Sequence, residues 1–276
     1  MSAEEVKKGE YSIEIKGLTK KFDKYIAVDN LTFSIPKGVI FGFLGPNGSG
    51  KSTTIRMICG VLTPTSGEGK VLGYDLKSNP EKIKSKIGYM SQKFSLYEDL
   101  TIEENLTFYG EIYSIPKERL KDRIKEIVVM LNLGEKRGVL SKNLSGGWKQ
   151  RLALGCAIIH KPELLILDEP TAGVDPVARR EFWTTIKDLI KDGDITVLAT
   201  THYMDEASVC DIIGFIFEGK LVTIDTPANL YKKYNTDNLE DVFIIYVKEL
   251  SHKEVISSFD QLKKGSEEKR EKVWLT

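Results

Sequence analysis

Long hydrophobic runs are missing from this sequence of 276 residues. No segment approaches the roughly 18 to 20 apolar residues that a membrane-spanning helix requires, so any work at a membrane must pass through another chain. The polar opening Met1-Ser-Ala-Glu-Glu-Val-Lys-Lys lacks the apolar stretch of a signal peptide, which points to a cytoplasmic protein. Cysteine is scarce: Cys59, Cys156 and Cys210 stand far apart, with no CxxC or His/Cys cluster beside them. That argues against a zinc site or a disulfide framework, and the three read as reduced apolar fillers. Neither sign of charge is in excess, with 40 basic and 40 acidic residues. The balance argues against a dedicated nucleic-acid binder, which normally shows a basic surplus. No internal repeat is present, so one copy of each motif must suffice. What is there is ordinary for a globular chain, 41% apolar and 29% charged, and long enough to bury a sizeable core.

Residues 11–15 and 27–35 alternate apolar and polar side chains, as half-buried strands do; Val28, Leu31, Phe33 and Ile35 form the apolar set of the second. Lys37-Gly38 turns the chain into residues 39–44, a continuous apolar run that reads as a fully buried central strand. A helix is expected directly after Lys51, ending at Gly60. From about residue 94 to 160 strand signals disappear. Thr101 to Tyr113 looks helical, and Pro116 opens an amphipathic helix with Leu120, Ile124, Ile127 and Leu131 on one face. Strands return at 164–167, 196–200 and 212–217, separated by helical stretches, which implies parallel strands with crossover connections. The last forty residues are charged and weakly patterned. Residues 239–247 read as a short helix or strand, and 263–272 are very charged.

Three segments carry chemistry. Gly45-Pro46-Asn47-Gly48-Ser49-Gly50-Lys51-Ser52 fits GxxxxGK[ST], between a buried strand and a helix. Its glycines let the backbone curl so that N–H groups face phosphate oxygens, and the helix adds its positive end. Lys51 supplies a charge for the terminal phosphates and Ser52 a hydroxyl for magnesium. Leu164-Leu-Ile-Leu167 runs into Asp168 and Glu169. Asp168 is placed to hold magnesium through water, and Glu169 to take a proton from an attacking water. Asn143-Leu144-Ser145-Gly146-Gly147-Trp148-Lys149-Gln150-Arg151 precedes that strand. Ser145 can cap the helix that follows, and Gly146 and Gly147 leave its first N–H groups open to an anion.

Together these segments resemble the nucleotide-binding subunit of an ATP-binding-cassette (ABC) transporter, over roughly residues 11–245 and in family order. The phosphate loop is its Walker A motif and 164–169 its Walker B. Residues 144–148 are similar to its LSGGQ signature, Ala172-Gly-Val-Asp175 to its D-loop, Gln92 to its Q-loop glutamine and His202 to its switch histidine. Phe22 takes the place of the aromatic that stacks on adenine, with Tyr25 as a rival. The fifth signature residue is Trp148 where the family usually has glutamine. The resemblance implies an α/β fold: a P-loop NTPase core with a mainly parallel sheet, an N-terminal antiparallel β subdomain and an inserted helical subdomain at about 94–160. It implies an ATPase domain over 11–235 and a short C-terminal extension over 236–276. ATP would be bound by Phe22, residues 45–52, Thr53 and Gln92, and by Ser145, Gly146 and Gly147 of a second cassette in trans. Ser52, Gln92 and Asp168 would hold Mg2+. Glu169, His202, Lys51 and Gln92 would serve hydrolysis, and Asp175 would lie at the dimer interface.

The branch resembled is that of exporters for drugs, polysaccharides and lipids, on Thr101-Ile-Glu-Glu-Asn105-Leu-Thr-Phe-Tyr109 and Asn238-Leu-Glu-Asp-Val-Phe243. Such subunits sit on the cytoplasmic face of the membrane and pair with separate membrane permeases, with no nucleic-acid partner. A groove for a permease helix is expected beside Gln92, with Phe94, Leu96, Tyr97 and Tyr109 as candidates. The competing reading is a soluble cassette ATPase acting on ribosomes or DNA. Against it stand the single cassette and the short distance between phosphate loop and signature, which leaves no room for a long coiled coil.

Overall fold

The computed structural model describes residues 11–251 apart from 192 and 202, without the side chains of 249–251. The polar opening, His202 and the charged stretch 263–272 therefore lie outside the described residues.

Alternation at the start of the chain becomes a long antiparallel hairpin of β1 (Tyr11–Phe22) and β2 (Tyr25–Pro36). Ile13, Ile15, Leu18, Val28, Leu31, Phe33 and Ile35 all bury on one side of it. The chain then enters β3 (Ile40–Leu44), buried at every residue, followed by α1 (Lys51–Ile58). Next, β4 (Ser66–Val71) and β5 (Tyr74–Asp75) rejoin the first sheet, whose order is β2-β1-β4-β5. The sequence pattern identifies only the hairpin of this sheet. Ser66-Gly-Glu-Gly-Lys-Val has weak strand propensity, and pairing to β1 (Ile13 opposite Val71, Ile15 opposite Gly69) makes it a strand.

After α2 (Pro80–Lys84) and β6 (Ile87–Met90) comes the helical subdomain of α3 (Ile102–Ile112), α4 (Lys117–Met130) and α5 (Gly146–Ile158). Thr101 and Glu104 close a reciprocal capping box at the start of α3. Asn105, fully buried, accepts from the Tyr97 amide and donates to the carbonyls of Tyr97, Leu100 and Thr101, which fixes the loop leading into the helix. The predicted stripe Leu120, Ile124, Ile127 and Leu131 is buried. Beside it lies α5, buried at every position from Leu152 to Ile158.

The rest of the chain is β7 (Leu164–Asp168), α6 (Pro176–Leu189), β8 (Thr196–Thr201), α7 (Met204–Ala207), β9 (Ile212–Phe217), β10 (Lys220–Asp225), α8 (Pro227–Tyr234) and α9 (Leu239–Ser251). The central sheet runs β10-β9-β3-β8-β7-β6 and is parallel except for its edge strand β10. Phe33 of β2 meets Phe41 and Phe43 of β3 at ring-centre distances of 6.0 Å each, joining the two sheets. The ambiguous segment after 238 is a helix. Its buried Leu239, Val242, Phe243, Tyr246 and Val247 recur at helical spacing, and Phe243 packs 5.4 Å from Phe215.

Candidate nucleotide site at the carboxyl ends of the parallel strands

The loop at residues 45–52 leaves the carboxyl end of β3 and enters α1. Gly50 occupies the N-cap position at φ 104°, a conformation open to glycine, and no side chain caps the helix. Gly45 is required for space: a Cβ there would be driven into the Ile216 carbonyl oxygen and the Ser49 hydroxyl. Strand β9 and the turn after it thus wall the loop, and the Gly219 amide donates to the Ser49 carbonyl at 3.0 Å. The Ser49 hydroxyl is buried without a partner among the described residues. Lys51 folds back over the loop, its ammonium donating to the carbonyls of Gly45 at 2.7 Å and Pro46 at 3.1 Å. Burial lowers the pKa of that ammonium, opposed by the negative charges of Glu169 and Asp168 across the site. Ser52 is exposed on the first turn of α1.

Two strands away, β7 delivers the carboxylates. Asp168 pairs in register with Thr200 of β8, whose hydroxyl donates to Asp168 Oδ1 at 2.8 Å. Tyr89 of β6 donates to Asp168 Oδ2 at 3.1 Å. Burial first, then the charge of Asp168, pushes the Tyr89 phenol above its ordinary pKa, so it stays a donor. Glu169 takes φ 49°, left-handed backbone that costs a non-glycine residue about 1–2 kcal/mol. Its amide is held there by the Thr200 hydroxyl at 3.0 Å. Gln92 lies just beyond β6, exposed, and its amide donates to Glu169 Oε2 at 3.0 Å. Phe94 and Ser95, which follow it, are also left-handed, at φ 59° and 48°.

His202 is outside the described residues. Its neighbour Thr201 ends β8 opposite Leu44, at the same end of the sheet as the phosphate loop. Thr201 and Thr171 both donate to the buried carboxylate of Glu206, and Arg179 Nε lies 3.2 Å from it. The segments after β7 and β8 are thereby tied together. Asp175 caps α6, accepting from the amides of Val177 and Ala178 at 3.0 Å each. Phe22 and Tyr25 pair at the tip of the first hairpin, both substantially exposed, with the Lys20 ammonium 5.1 Å from the Phe22 ring centre. Near that hairpin, the Ala27 carbonyl of β2 abuts Gly50.

The structure does not bring the signature residues into this cluster. Ser145 holds the N-cap position of α5, but its side chain makes no capping hydrogen bond, contrary to the expected role. Gly146 faces open space, and Gly147 faces Ala178 of α6. Trp148 is half-buried between the ammonium of Lys136, 5.0 Å from its ring centre, and the guanidinium of Arg151 at 5.5 Å. The buried Gln150 donates to the Pro170 carbonyl at 2.8 Å, linking the signature helix to the segment after Glu169. Of the groove candidates, Phe94, Leu96 and Tyr109 pack against the helical-subdomain core, and Tyr97 stays exposed against Phe108 at 4.4 Å.

Sequence reading misses Tyr89, Thr200, Gln150 and Glu206. Thr200 and Tyr89 have a signal once strands are paired: Thr200 is the register partner of Asp168, and Tyr89, opposite Ile166, lies two residues short of it on the other side. Gln150 and Glu206 have none, because their partners come from distant segments.

These features fit a nucleotide triphosphate. The orphaned Ser49 hydroxyl, an uncapped helix start with no acid in its first turn and a Cβ-free cradle suit phosphate oxygens. They fit Mg2+ as well. Ser52, Gln92 and Asp168 offer only oxygen donors of the hard kind. Among the described residues no cluster of three His, Cys, Asp or Glu side chains could hold a metal ion. Cradle and carboxylates lie at the carboxyl ends of parallel strands, where open α/β sheets bind ligands. The fold is that of the phosphate-loop NTPases.

Comparison with known proteins narrows the class. The family model described as ABC transporter matches residues 28–172. The probable multidrug ABC transporter ATP-binding protein YbhF of Escherichia coli is 47% identical over 233 residues, 84% of this chain and 40% of the relative. The linearmycin resistance ATP-binding protein LnrL of Bacillus subtilis is 38% identical over 249 residues, covering 87% of this chain and 80% of LnrL. The daunorubicin/doxorubicin resistance ATP-binding protein DrrA of Streptomyces peucetius is 40% identical over 220 residues, covering 79% and 66%. A solved ATP-binding subunit of an ABC transporter superposes with a TM-score of 0.76 at 26% identity, covering 86% of this chain and 99% of that one. The ATP-binding cassette MJ0796, in a dimeric post-hydrolysis structure with ADP and Pi, gives 0.70 at 26% identity, covering 78% and 98%. The chain belongs to the ABC transporter family and carries its ATP-binding domain. It spans 40% of the length of the Escherichia coli relative.

Proposed function

We propose that this chain binds and hydrolyses Mg-ATP and, paired with a second cassette, energises export of a small molecule through a separate membrane subunit. The observation that carries the reading is the convergence of Lys51, Asp168, Glu169 and Gln92 on one end of the sheet. In this reading the backbone of residues 45–52 and the Lys51 ammonium, released from the loop carbonyls, bind the β- and γ-phosphates. Thr53 adds a contact on the first turn of α1, and Phe22 stacks on adenine. Magnesium held by Ser52, Gln92 and, through water, Asp168 would neutralise charge on the phosphates. Glu169, steered by its backbone strain and by Gln92, accepts a proton from the attacking water. His202 is assigned the γ-phosphate on the resemblance alone.

Ser145, Gly146 and Gly147 supply the opposite wall of the site in a partner cassette. The exposure of Ser145 and Gly146 supports this assignment. The dimeric structure of the similar cassette MJ0796 supports the pairing. The relatives named for drug resistance favour an export ATPase on the cytoplasmic face of a membrane over the soluble alternative. No helix among the described residues is long and apolar enough to cross a bilayer, so the permease is a separate segment or chain. A cleft of about 1100 Å3 between α2 and α4, with Ile112, Ile115 and Pro116 in its wall, offers a seat for a permease helix. Phe94, Leu96 and Tyr109 keep part of their surface free and Tyr97 is exposed, so the groove beside Gln92 stands as a second seat.

Glu169→Gln should bind ATP normally and lose about 10²–10⁴-fold in turnover, as removal of a general base does. Turnover within a few-fold of the parent removes Glu169 from the role. Co-purification from detergent-solubilised membranes should recover a membrane protein; recovery of ribosomes or DNA alone would overturn the transport reading.

A further inference from the structure

Strand register puts Tyr89 on the same face as Asp168. In the parallel pair of β6 and β7, Tyr89 stands beside Ile166, and Asp168 is two residues further along β7. Side chains two apart share a face, and a phenol is long enough to reach forward to the carboxylate. The hydroxyl arrives at Oδ2 while Thr200, the lateral neighbour on β8, serves Oδ1. Each oxygen of Asp168 thus has one hydroxyl donor from a flanking strand. The donors fix the rotation of the carboxylate, and each oxygen keeps acceptor capacity for a hydrated cation. Three residues after Tyr89, Gln92 donates to Glu169, so one strand and its loop grip both carboxylates.

We propose that Tyr89 is a positioning residue that holds Asp168 in the orientation that receives magnesium. The inference rests on the assignment of Asp168 made above. Magnesium ligands commonly owe their orientation to such outer hydrogen bonds, and their removal costs metal affinity. A tyrosine serves here because the phenol, though 40% exposed, is long enough to carry its single O–H donor to Oδ2. Thr200 cannot substitute for it, since its hydroxyl is committed to the other oxygen and to the Glu169 amide.

Tyr89→Phe removes only the O–H. The measurement is the calorimetric affinity of a non-hydrolysable ATP analogue, with EDTA and then with MgCl2, for the parent, Tyr89→Phe and Asp168→Asn. Magnesium should tighten binding to the parent, and Asp168→Asn should lose that gain. Tyr89→Phe should keep its magnesium-free affinity within about twofold and lose about tenfold of the gain, the lower end for partners of metal ligands. A full magnesium gain in Tyr89→Phe overturns the proposal while leaving the reading of Asp168 intact. Loss of magnesium-free binding in step with the gain also overturns it, because the hydroxyl would then be supporting the phosphate loop. A full gain in Asp168→Asn is the separate outcome that removes Asp168 itself from the metal site.

Discussion

Helices α1 and α5 begin alike and end up in opposite surroundings. Both start at a glycine-containing turn, both lack a side-chain cap, and neither has an acid in its first turn. Each therefore offers free N–H groups and a positive end to an anion. The start of α1 is enclosed by its own chain: Ile216 presses on Gly45, Ala27 on Gly50, and Lys51 closes the loop from above. The start of α5 is open, with Ser145 and Gly146 exposed and nothing within reach of a Cβ on Gly146. The same local chemistry thus makes a pocket at one place and a bare wall at the other. A bare wall acts on a triphosphate when a second surface brings the ligand to it, the physical basis for assigning it to a partner cassette.

Substituting glycine at the two places breaks the comparison apart. Gly45→Ala forces a methyl against a backbone oxygen, and overpacking of this kind costs about 1–3 kcal/mol. Its chemical denaturation midpoint should drop and nucleotide binding should go with it. An unchanged midpoint would mean that the wall around the loop yields easily. Gly146→Ala should leave the midpoint unchanged or raise it, since alanine suits the first turn of a helix better by about 0.5–1 kcal/mol. ATP turnover should nonetheless fall several-fold, because the methyl intrudes where a partner's phosphates are proposed to lie. If turnover keeps pace with the stable fold, the open wall does not face nucleotide.

Legibility follows the same division. The phosphate loop and the Asp168–Glu169 end could be read because each is contiguous: glycines, lysine and carboxylates announce themselves within a few residues. The buried run of β3 and the 3.6-residue stripe of α4 were readable for the same reason. Strands β4, β6 and β10 were not, since each is short or polar and owes its conformation to a neighbour across the sheet. Tyr89 and Thr200 are ordinary strand residues until the register places them on Asp168. Glu206 carries no local signal, because its charge is stabilised by Thr171, Thr201 and Arg179, from three separate segments. The signature lay between these cases. Its residues were legible, but the cap expected of Ser145 was not made, leaving the amides of α5 uncapped.

Trp148 gives the finest test of the comparison, since it stands where the enclosed and open parts of the signature meet. Its ring is half-buried against the helical core and lies between two cations, Lys136 and Arg151, the latter also paired with Glu181 at 2.6 Å. These contacts are structural: each cation–π pair at such a site contributes about 0.5–1 kcal/mol, and the ring adds its own burial. A glutamine keeps helix propensity and loses both. Trp148→Gln should lower the stability measured by denaturant by about 1–2 kcal/mol. Turnover should stay within about threefold, because the amides at 145–147 do not depend on this side chain and ΔΔG‡ of that size is under 1 kcal/mol. A collapse of turnover with the fold intact would place the ring itself in contact with the bound nucleotide. The open wall would then end one residue later than Gly147, and the large apolar side chain would be part of it.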